Sequence, residues 1–372
     1  MLESGDSEMR AGDTKPGLDN VIAANTVLSH VDGEAGRLII RGLDVEDLAG
    51  RTSFEEATAL LWQGYVPAAS DAKRLAENLG HARVKAYSRF KPLAPNLKGL
   101  TASEAMRLLL ASLPDGPHDD DPIDVLAAAG VAAPFAMRIV VGLAPIPPDP
   151  SLSHAADVLR MIRGEPSDAD EVRALDTYLV TVLDHGLNAS TFAARVVAST
   201  AAGLPSSIVA AFCALKGPLH GGAPGPVLDM LDDIGEADRA DAWIADVLKS
   251  GKRLMGFGHR VYRVRDPRAS VLKVTVAKLK NRDNRITFAE AVEKAALRAL
   301  RDFRSERRLD TNVEFYTALL LEALAIPREG FTPVFAVGRA AGWIAHVREQ
   351  ETTGRLMRPQ SRYVGPWPVK AA

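Results

Sequence analysis

The sequence predicts a mainly α-helical fold with one small β-hairpin near its N-terminus. Three observations carry that expectation. Helix-capping residues recur just ahead of apolar runs at helical spacing, glycine or proline ends those runs, and strand-like patterning is confined to the front of the chain. In order, residues 27–31 and 37–40 flank Asp32-Gly33 in a hairpin arrangement. Ser53-Phe54-Glu55-Glu56 is a capping box, in which the serine hydroxyl and the third-position glutamate each satisfy an orphan N–H; it predicts a helix over residues 54–63, stopped by Gly64. Ser167 precedes a run to Leu183 that stops at Gly186, and a second run from Ser190 to Ala202 ends at Gly203 and Pro205. A further helix is expected over residues 207–216, ended by Gly217-Pro218. Asp266-Pro267 supplies a cap and a first-turn proline for residues 268–280. Thr287-Phe288-Ala289-Glu290 reads as another capping box, and Thr332-Pro333 opens a helix through Gln350. Residues 114–122 and 144–151 are proline-rich loops, and no fixed-period repeat suggests a solenoid.

A chain of 372 residues buries a large core without staples and has room for more than one domain. Lys and Arg total 45 against 47 Asp and Glu, a net charge of −2, which argues against a basic nucleic-acid binder. A hydrophobic content of 47% argues equally against a polyacidic disordered chain. The single cysteine, Cys213, forms no internal disulfide and, inside an apolar helical pattern, is expected in the core. The first twenty residues carry five acids and only Arg10 and Lys15, unlike a secretion signal or a mitochondrial presequence. No uninterrupted apolar stretch approaches the ~18 residues that suggest a membrane span, so a cytoplasmic location is expected. His118 with Asp119, Asp120 and Asp121 reads as a solvated loop rather than a metal site, and no metal is expected elsewhere.

Three histidines stand in glycine-bearing breaks between helices: Asp184-His185-Gly186, Leu219-His220-Gly221-Gly222 and Gly256-Phe257-Gly258-His259. Glycine there permits unusual backbone angles and close ligand approach, and a histidine so placed can donate to a developing oxyanion. The plainer alternative is a histidine satisfied by a helix-end carbonyl. Gly256-Phe257-Gly258 lacks both the third glycine and the βαβ setting of a dinucleotide fingerprint. Between Ser250 and Lys273, seven basic residues face Asp266 alone, around a glycine loop and a helix start, an arrangement suited to phosphate or carboxylate. Arg339, among small and apolar residues, and Arg358, in Leu356-Met357-Arg358-Pro359, need an anionic partner if buried: a substrate carboxylate or an internal acid. Glu314, in Asn312-Val313-Glu314-Phe315-Tyr316, either complements a helix dipole or serves as a general base.

These motifs resemble the citrate synthase family. The resemblance rests on Gly217-Pro218-Leu219-His220-Gly221-Gly222-Ala223, on Met255-Gly256-Phe257-Gly258-His259-Arg260-Val261-Tyr262, and on Asp266-Pro267-Arg268. It extends through Asp184-His185-Gly186-Leu187-Asn188-Ala189-Ser190, Phe331-Thr332-Pro333, Gly342-Trp343-Ile344-Ala345-His346 and Arg358-Pro359, covering about residues 18–366. It implies a homodimer of two-domain helical subunits, with a large domain from residues 1–216 and 319–372 and a small domain inserted at 217–318. The implied reaction condenses acetyl-CoA with oxaloacetate and hydrolyses the thioester to citrate and CoA, with no permanently bound cofactor.

By the same resemblance, His220 stabilises the acetyl-CoA enolate, Glu314 removes the methyl proton, and His259 polarises the oxaloacetate carbonyl. His185, Arg268 and Arg339 match oxaloacetate-binding positions, and Arg358 matches an arginine reaching in from the partner subunit. Arg263 matches a position near the CoA phosphates, and Leu254, Met255, Gly256, Phe257 and Gly258 a loop near the adenine. Two positions depart from the usual pattern. Glu314 stands where aspartate is usual, as in some bacterial members, and Ala223-Pro224 stands where Ala-Asn is common. A propionyl-CoA-using 2-methylcitrate synthase and a weakly catalytic paralogue that binds CoA or a dicarboxylate are the alternatives.

Overall fold

A computed structural model describes residues 16–18, 21–116, 121–221, 224–279, 283–303 and 309–367. The acidic first fifteen residues, His118 with Asp119 and Asp120, and Gly222-Ala223 lie outside the described residues. The hairpin forms as expected: β1 (Ser29–Asp32) pairs antiparallel with β2 (Arg37–Ile40), with Ser29 opposite Ile40 and Asp32 opposite Arg37. Asp32 closes the turn by accepting from the Glu34 and Ala35 amides at 3.1 and 2.8 Å. A third strand, β3 (Leu43–Asp44), adds to β2 across a turn at Arg41 and Gly42, both at positive φ. Two residues carry too little alternation to signal a strand.

Among the described residues the remaining regular elements are helices. The first half holds α1 (Val45–Leu48), α2 (Phe54–Leu61), α3 (Ala72–Phe90), α4 (Ala102–Ala111), α5 (Pro122–Val140) and α6 (His154–Arg163). It continues with α7 (Ala169–Thr181), α8 (Ala189–Ala198) and α9 (Leu204–Leu215). After these come α10 (Pro224–Ile234), α11 (Ala240–Lys249), α12 (Pro267–Val276), α13 (Asp283–Phe303), α14 (Val313–Ala323) and α15 (Phe331–Thr353). The capping box at Ser53 closes as read, and Asp266 caps α12. At α7 and α8 the caps fall on Asp168 and Asn188, one residue after Ser167 and two before Ser190.

Three sequence expectations are corrected. Thr287 caps nothing: α13 begins earlier, at Asp283, and Arg285 in its first turn pairs with Asp232 and Glu322. Those tertiary ion pairs anchor a turn that lies ahead of the local capping pattern. Pro205 lies in the first turn of α9, which starts at Leu204, rather than stopping α8, since a first-turn proline lacks only an N–H that would be orphaned anyway. Cys213 is exposed. Helix α9 is apolar around most of its circumference, so periodicity marked no solvent face, while Ile208, Ala211, Phe212 and Leu215 take the inner one.

Helix α15 organises the larger packing unit, lying against α5, α7, α8 and α9, and the Trp62 indole donates to its Ala341 carbonyl at 2.8 Å. Helix α5 is long and apolar enough to cross a membrane by length and composition, but most of it is buried inside the core. Helices α10 and α12 pack on α14, and α11 packs on α13. Where α12 and α14 meet α7, the two groups of helices come together. The candidate residues collect at that seam.

Candidate active site

The segment after α7 brings Asp184 and His185 into the interior. The hairpin holds it there, because the Gly186 amide donates to Ser29 Oγ at 2.9 Å, and Ser29 Oγ donates to Asp184 Oδ2 at 2.5 Å. Across the seam, the loop before α12 brings Tyr262 and His259 to His185. His185 Nε2 lies 3.2 Å from the Tyr262 hydroxyl, and the His185 and His259 rings are 5.7 Å apart. Burial, together with Arg268 and His259, pushes His185 well below the usual imidazole range. This histidine is held by a side chain across the seam, not by a helix-end carbonyl.

His259 has a fixed tautomer. The amides of Val261 and Tyr262 both donate to Nδ1, at 3.0 and 3.1 Å, which leaves the proton on Nε2. Burial and then Arg268 lower its pKa to about 4, with Asp266 opposing, so the ring is neutral at pH 7. Arg268 Nη2 stands 3.3 Å from that same Nε2. The imidazole and the guanidinium thus face one another directly at the seam. Asp266 grips Arg268 through both carboxylate oxygens, at 3.0 and 2.9 Å, and accepts the Val313 amide at the start of α14.

Glu314, in the first turn of α14, receives a hydrogen bond from Asn312 Nδ2 at 3.1 Å. The same amide group donates to the Gly258 carbonyl at 2.9 Å, tying the acid to the glycine loop. Burial raises the Glu314 pKa above the ordinary carboxylate value, against the opposing pull of Arg268 and the Asn312 hydrogen bond. The loop is laced to residues 310–312 by Gly258 N–H to Asp310 at 2.8 Å and Asn312 N–H to Gly256 at 2.9 Å. Gly256 has φ +83°, and a Cβ there would come within 2.9 Å of Phe315, so the loop takes this path only with glycine.

His220, after α9, rests against Ser190 through Nε2, 2.9 Å from its hydroxyl and 3.3 Å from its amide. Ser190 is held by the Trp343 indole at 3.1 Å. Burial, then Arg339 and Arg268, bring the His220 pKa to about 4, again a neutral donor at pH 7. Arg339 is buried on α15, donating from Nε to the Val182 carbonyl at 2.6 Å and stacking over Phe335. Among the described residues no carboxylate salt-bridges it: Nη2 has no hydrogen-bond partner, and burial lowers its pKa only to about 10, with Asp184 opposing the fall. Of the two partners the sequence left open for Arg339, an external anion fits this arrangement.

His185, His220, His259, Arg268, Glu314 and Arg339 therefore sit around one seam. Arg263 and Arg358 do not join them within one chain. Arg263 is exposed, its amide bonded to the Gly33 carbonyl at 2.9 Å and its Nε 3.9 Å from Glu34. Arg358 is also exposed, on an extended segment past α15 that is tied back by the Met357 amide to Ser199 Oγ at 3.0 Å. The basic run after residue 250 divides: Arg265 pairs with Glu46, Arg268 with Asp266 and Lys273 with Glu293, whereas Lys252, Arg253 and Arg260 reach the surface. Leu254 is buried and Met255, Phe257 and Gly258 are partly so. Sequence reading passed over Ser190, Tyr262, Asp266 and Asn312 as functional positions. Asp266 and Asn312 look like ordinary helix caps, and the second bonds each makes cross between segments far apart in sequence.

Residues 17–360 match the family model described as citrate synthase, C-terminal domain. The chain belongs to the citrate synthase family. It is 37% identical over 366 residues to "Putative citrate synthase 2" of Mycobacterium tuberculosis, covering 95% of this chain and 93% of that one. A crystal structure of citrate synthase from Thermotoga maritima superposes with a TM-score of 0.83 at 34% identity, covering 96% of this chain and 97% of that one. The citrate synthase of Thermoplasma acidophilum, in a ternary complex with carboxymethyl coenzyme A and oxaloacetate, also gives 0.83, at 28% identity and with the same coverage. As a citrate synthase family member, this chain is an enzyme of the acyltransferase type.

Proposed function

We propose that the enzyme condenses acetyl-CoA with oxaloacetate and hydrolyses the resulting citryl thioester to citrate and CoA. One observation carries the reading: two neutral imidazole donors and one raised-pKa carboxylate surround Arg268 and the unpaired, buried Arg339. Deprotonating a thioester methyl needs a base beside a donor that stabilises the enolate oxygen. Glu314 takes the proton and a neutral His220 N–H holds the oxygen. The carbon so generated attacks the oxaloacetate ketone, whose oxygen is polarised by His259 Nε2–H beside Arg268. Water then cleaves the thioester.

Oxaloacetate brings two carboxylates, for which the reading assigns His185, Arg268 and Arg339, with Arg358 supplied by the second subunit of a homodimer. Arg263 and the loop of Leu254, Met255, Gly256, Phe257 and Gly258 take the CoA phosphates and adenine. The domain division at 217–318, with a cleft that closes over the substrates, belongs to the same proposal. So does acetyl over propionyl, because one methylene is worth only about 1–3 kcal/mol of discrimination.

The test follows oxaloacetate-dependent thiol release with acetyl-CoA and propionyl-CoA in parallel, with citrate identified as product. A higher kcat/KM for propionyl-CoA would overturn the acetyl assignment, and absence of turnover with both would overturn the reaction. Glu314→Gln is expected to lose most turnover, on the order of a hundredfold or more, while oxaloacetate binding survives. Near-wild-type activity in that variant would remove Glu314 as the base.

A further inference from the structure

Behind the seam, α15 presents one face to the segment that ends α7. Arg339, Gly342 and His346 recur at the spacing that aligns side chains along a helix, and each meets the next residue of that segment. Arg339 Nε donates to the Val182 carbonyl at 2.6 Å. A Cβ on Gly342 would lie 2.3 Å from the Leu183 carbonyl and 3.0 Å from Asp184 Oδ1, so only glycine lets the helix approach this closely. His346 Nε2 is 3.2 Å from Asp184 Oδ2, with both groups fully buried. One turn further on, Arg195 of α8 fixes the histidine. Its Nη1 reaches His346 Nδ1 at 3.0 Å and Glu349 at 2.5 Å, while Nε donates to Gln350 at 3.0 Å. A guanidinium only donates, so Nδ1 accepts and the Nε2 proton points to Asp184. Ser29 from the hairpin adds a second donor to the same carboxylate oxygen.

Asp184 is thus a buried carboxylate held by two donors on Oδ2, with Oδ1 left without a hydrogen-bond partner. Arg339 is a buried guanidinium with Nη2 equally unpartnered. Each acts electrostatically on the other without a hydrogen bond closing them into a salt bridge. Had they closed, Arg339 would have spent its donors internally. Held apart, Asp184 supplies countercharge and leaves Nη2 open.

We propose that Asp184 and His346 are a positioning pair, which stabilises the buried charge of Arg339 while leaving its Nη2 free for a substrate carboxylate and pins the 184–186 segment that carries His185. This rests on the reading of oxaloacetate as the substrate bound at Arg339. Neither residue touches the reacting atoms, so their loss acts on oxaloacetate affinity before it acts on chemistry.

The experiment measures oxaloacetate binding calorimetrically without acyl-CoA, alongside steady-state kinetics, on the full-length protein. Asp184→Asn and His346→Leu are expected to weaken oxaloacetate binding by about tenfold or more. The oxaloacetate KM should rise with it, with kcat and the acyl-CoA KM changed by less than about threefold. His346→Gln, which offers an acceptor to Arg195 and a donor to Asp184, should recover most of that affinity. Ser29→Ala removes one donor from a half-buried strand position and should cost two- to fivefold, which keeps the test open if Asp184→Asn does not fold. Folded variants that bind oxaloacetate within about twofold of wild type, or a His346→Gln no better than His346→Leu, would overturn the proposal. Wild type that binds oxaloacetate but makes no product overturns the reaction while the pair remains testable by binding alone; wild type that binds no oxaloacetate overturns the pair itself.

Discussion

Asn312 shares its side-chain amide between two acceptors, the Gly258 carbonyl and the Glu314 carboxylate, while its own oxygen caps α14 through the Glu314 amide. The bond to the carboxylate favours the ionised acid and so lowers a pKa that burial raises. On the proposed reading Glu314 is the general base, which works only when deprotonated, so kcat falls as pH drops through that pKa. Asn312→Ser keeps an oxygen to cap the helix but gives up the amide donor. Its acid limb of kcat should therefore move to higher pH, by roughly half to one unit for one lost hydrogen bond of ~1 kcal/mol. A pH–rate profile settles this, and an acid limb unmoved or shifted downward would separate Asn312 from the base. At this scale the sequence was legible in residue type and obscure in partnership. The glycine-loop histidines announced themselves by their surroundings, and Arg339 by its apolar ones. The pairings that hold them in place, such as Ser190 with His220 or Asp266 with Val313, join segments 30 and 47 residues apart. No local pattern encodes those contacts.

Helix α2 meets α7 through a carboxylate. The Phe54 amide, in the first turn of α2, donates to Asp176 Oδ1 at 3.0 Å. Glu55 and Glu56 of that turn and burial all disfavour the charge on Asp176, whose pKa rises to about 7, burial first among the causes and the Phe54 hydrogen bond opposing. A carboxyl whose folded pKa exceeds its unfolded value of 3.8 binds more protons in the folded state between those two values. Its contribution to stability is then fully present below about pH 4 and lost as pH rises through about 7. Asp176→Asn keeps a carbonyl for Phe54 and never ionises. The variant should melt with the wild type at pH 4 and higher at pH 8, by on the order of 1–2 kcal/mol. Calorimetric scans at both pH values check this, and a difference independent of pH would refute it. Helix α2 was also the most legible element, since its start is written in four consecutive residues and each partner of the capping box lies within them. Helix α13 was the least, because its first turn is anchored by ion pairs to α10 and α14. A capping motif is read correctly where the interactions that decide the boundary are local.

Across the whole molecule, charge is balanced to −2, yet the seam between the helix groups concentrates Arg268 and Arg339 beside three neutral histidines. On the proposed reading oxaloacetate brings two carboxylates, and because Asp266 already pairs with Arg268, a third arginine would complete their neutralisation. Arg358 does not provide it within one chain, where it is exposed on the extended segment beyond α15. On the proposed reading a second subunit delivers Arg358 and each site depends on two chains, which mixing can detect. Glu314→Gln and Arg358→Gln should each be nearly inactive alone. In a mixed dimer, the subunit with intact Glu314 would receive Arg358 from its partner and regain one complete site. Random reassociation makes about half the dimers mixed, with one of their two sites complete, so about a quarter of wild-type activity should return. Recovery needs subunit exchange, verified by size-separated differently tagged chains. Exchange without recovery would place Arg358 in the site of its own chain or outside it altogether, whereas recovery near a quarter makes the dimer the catalytic unit.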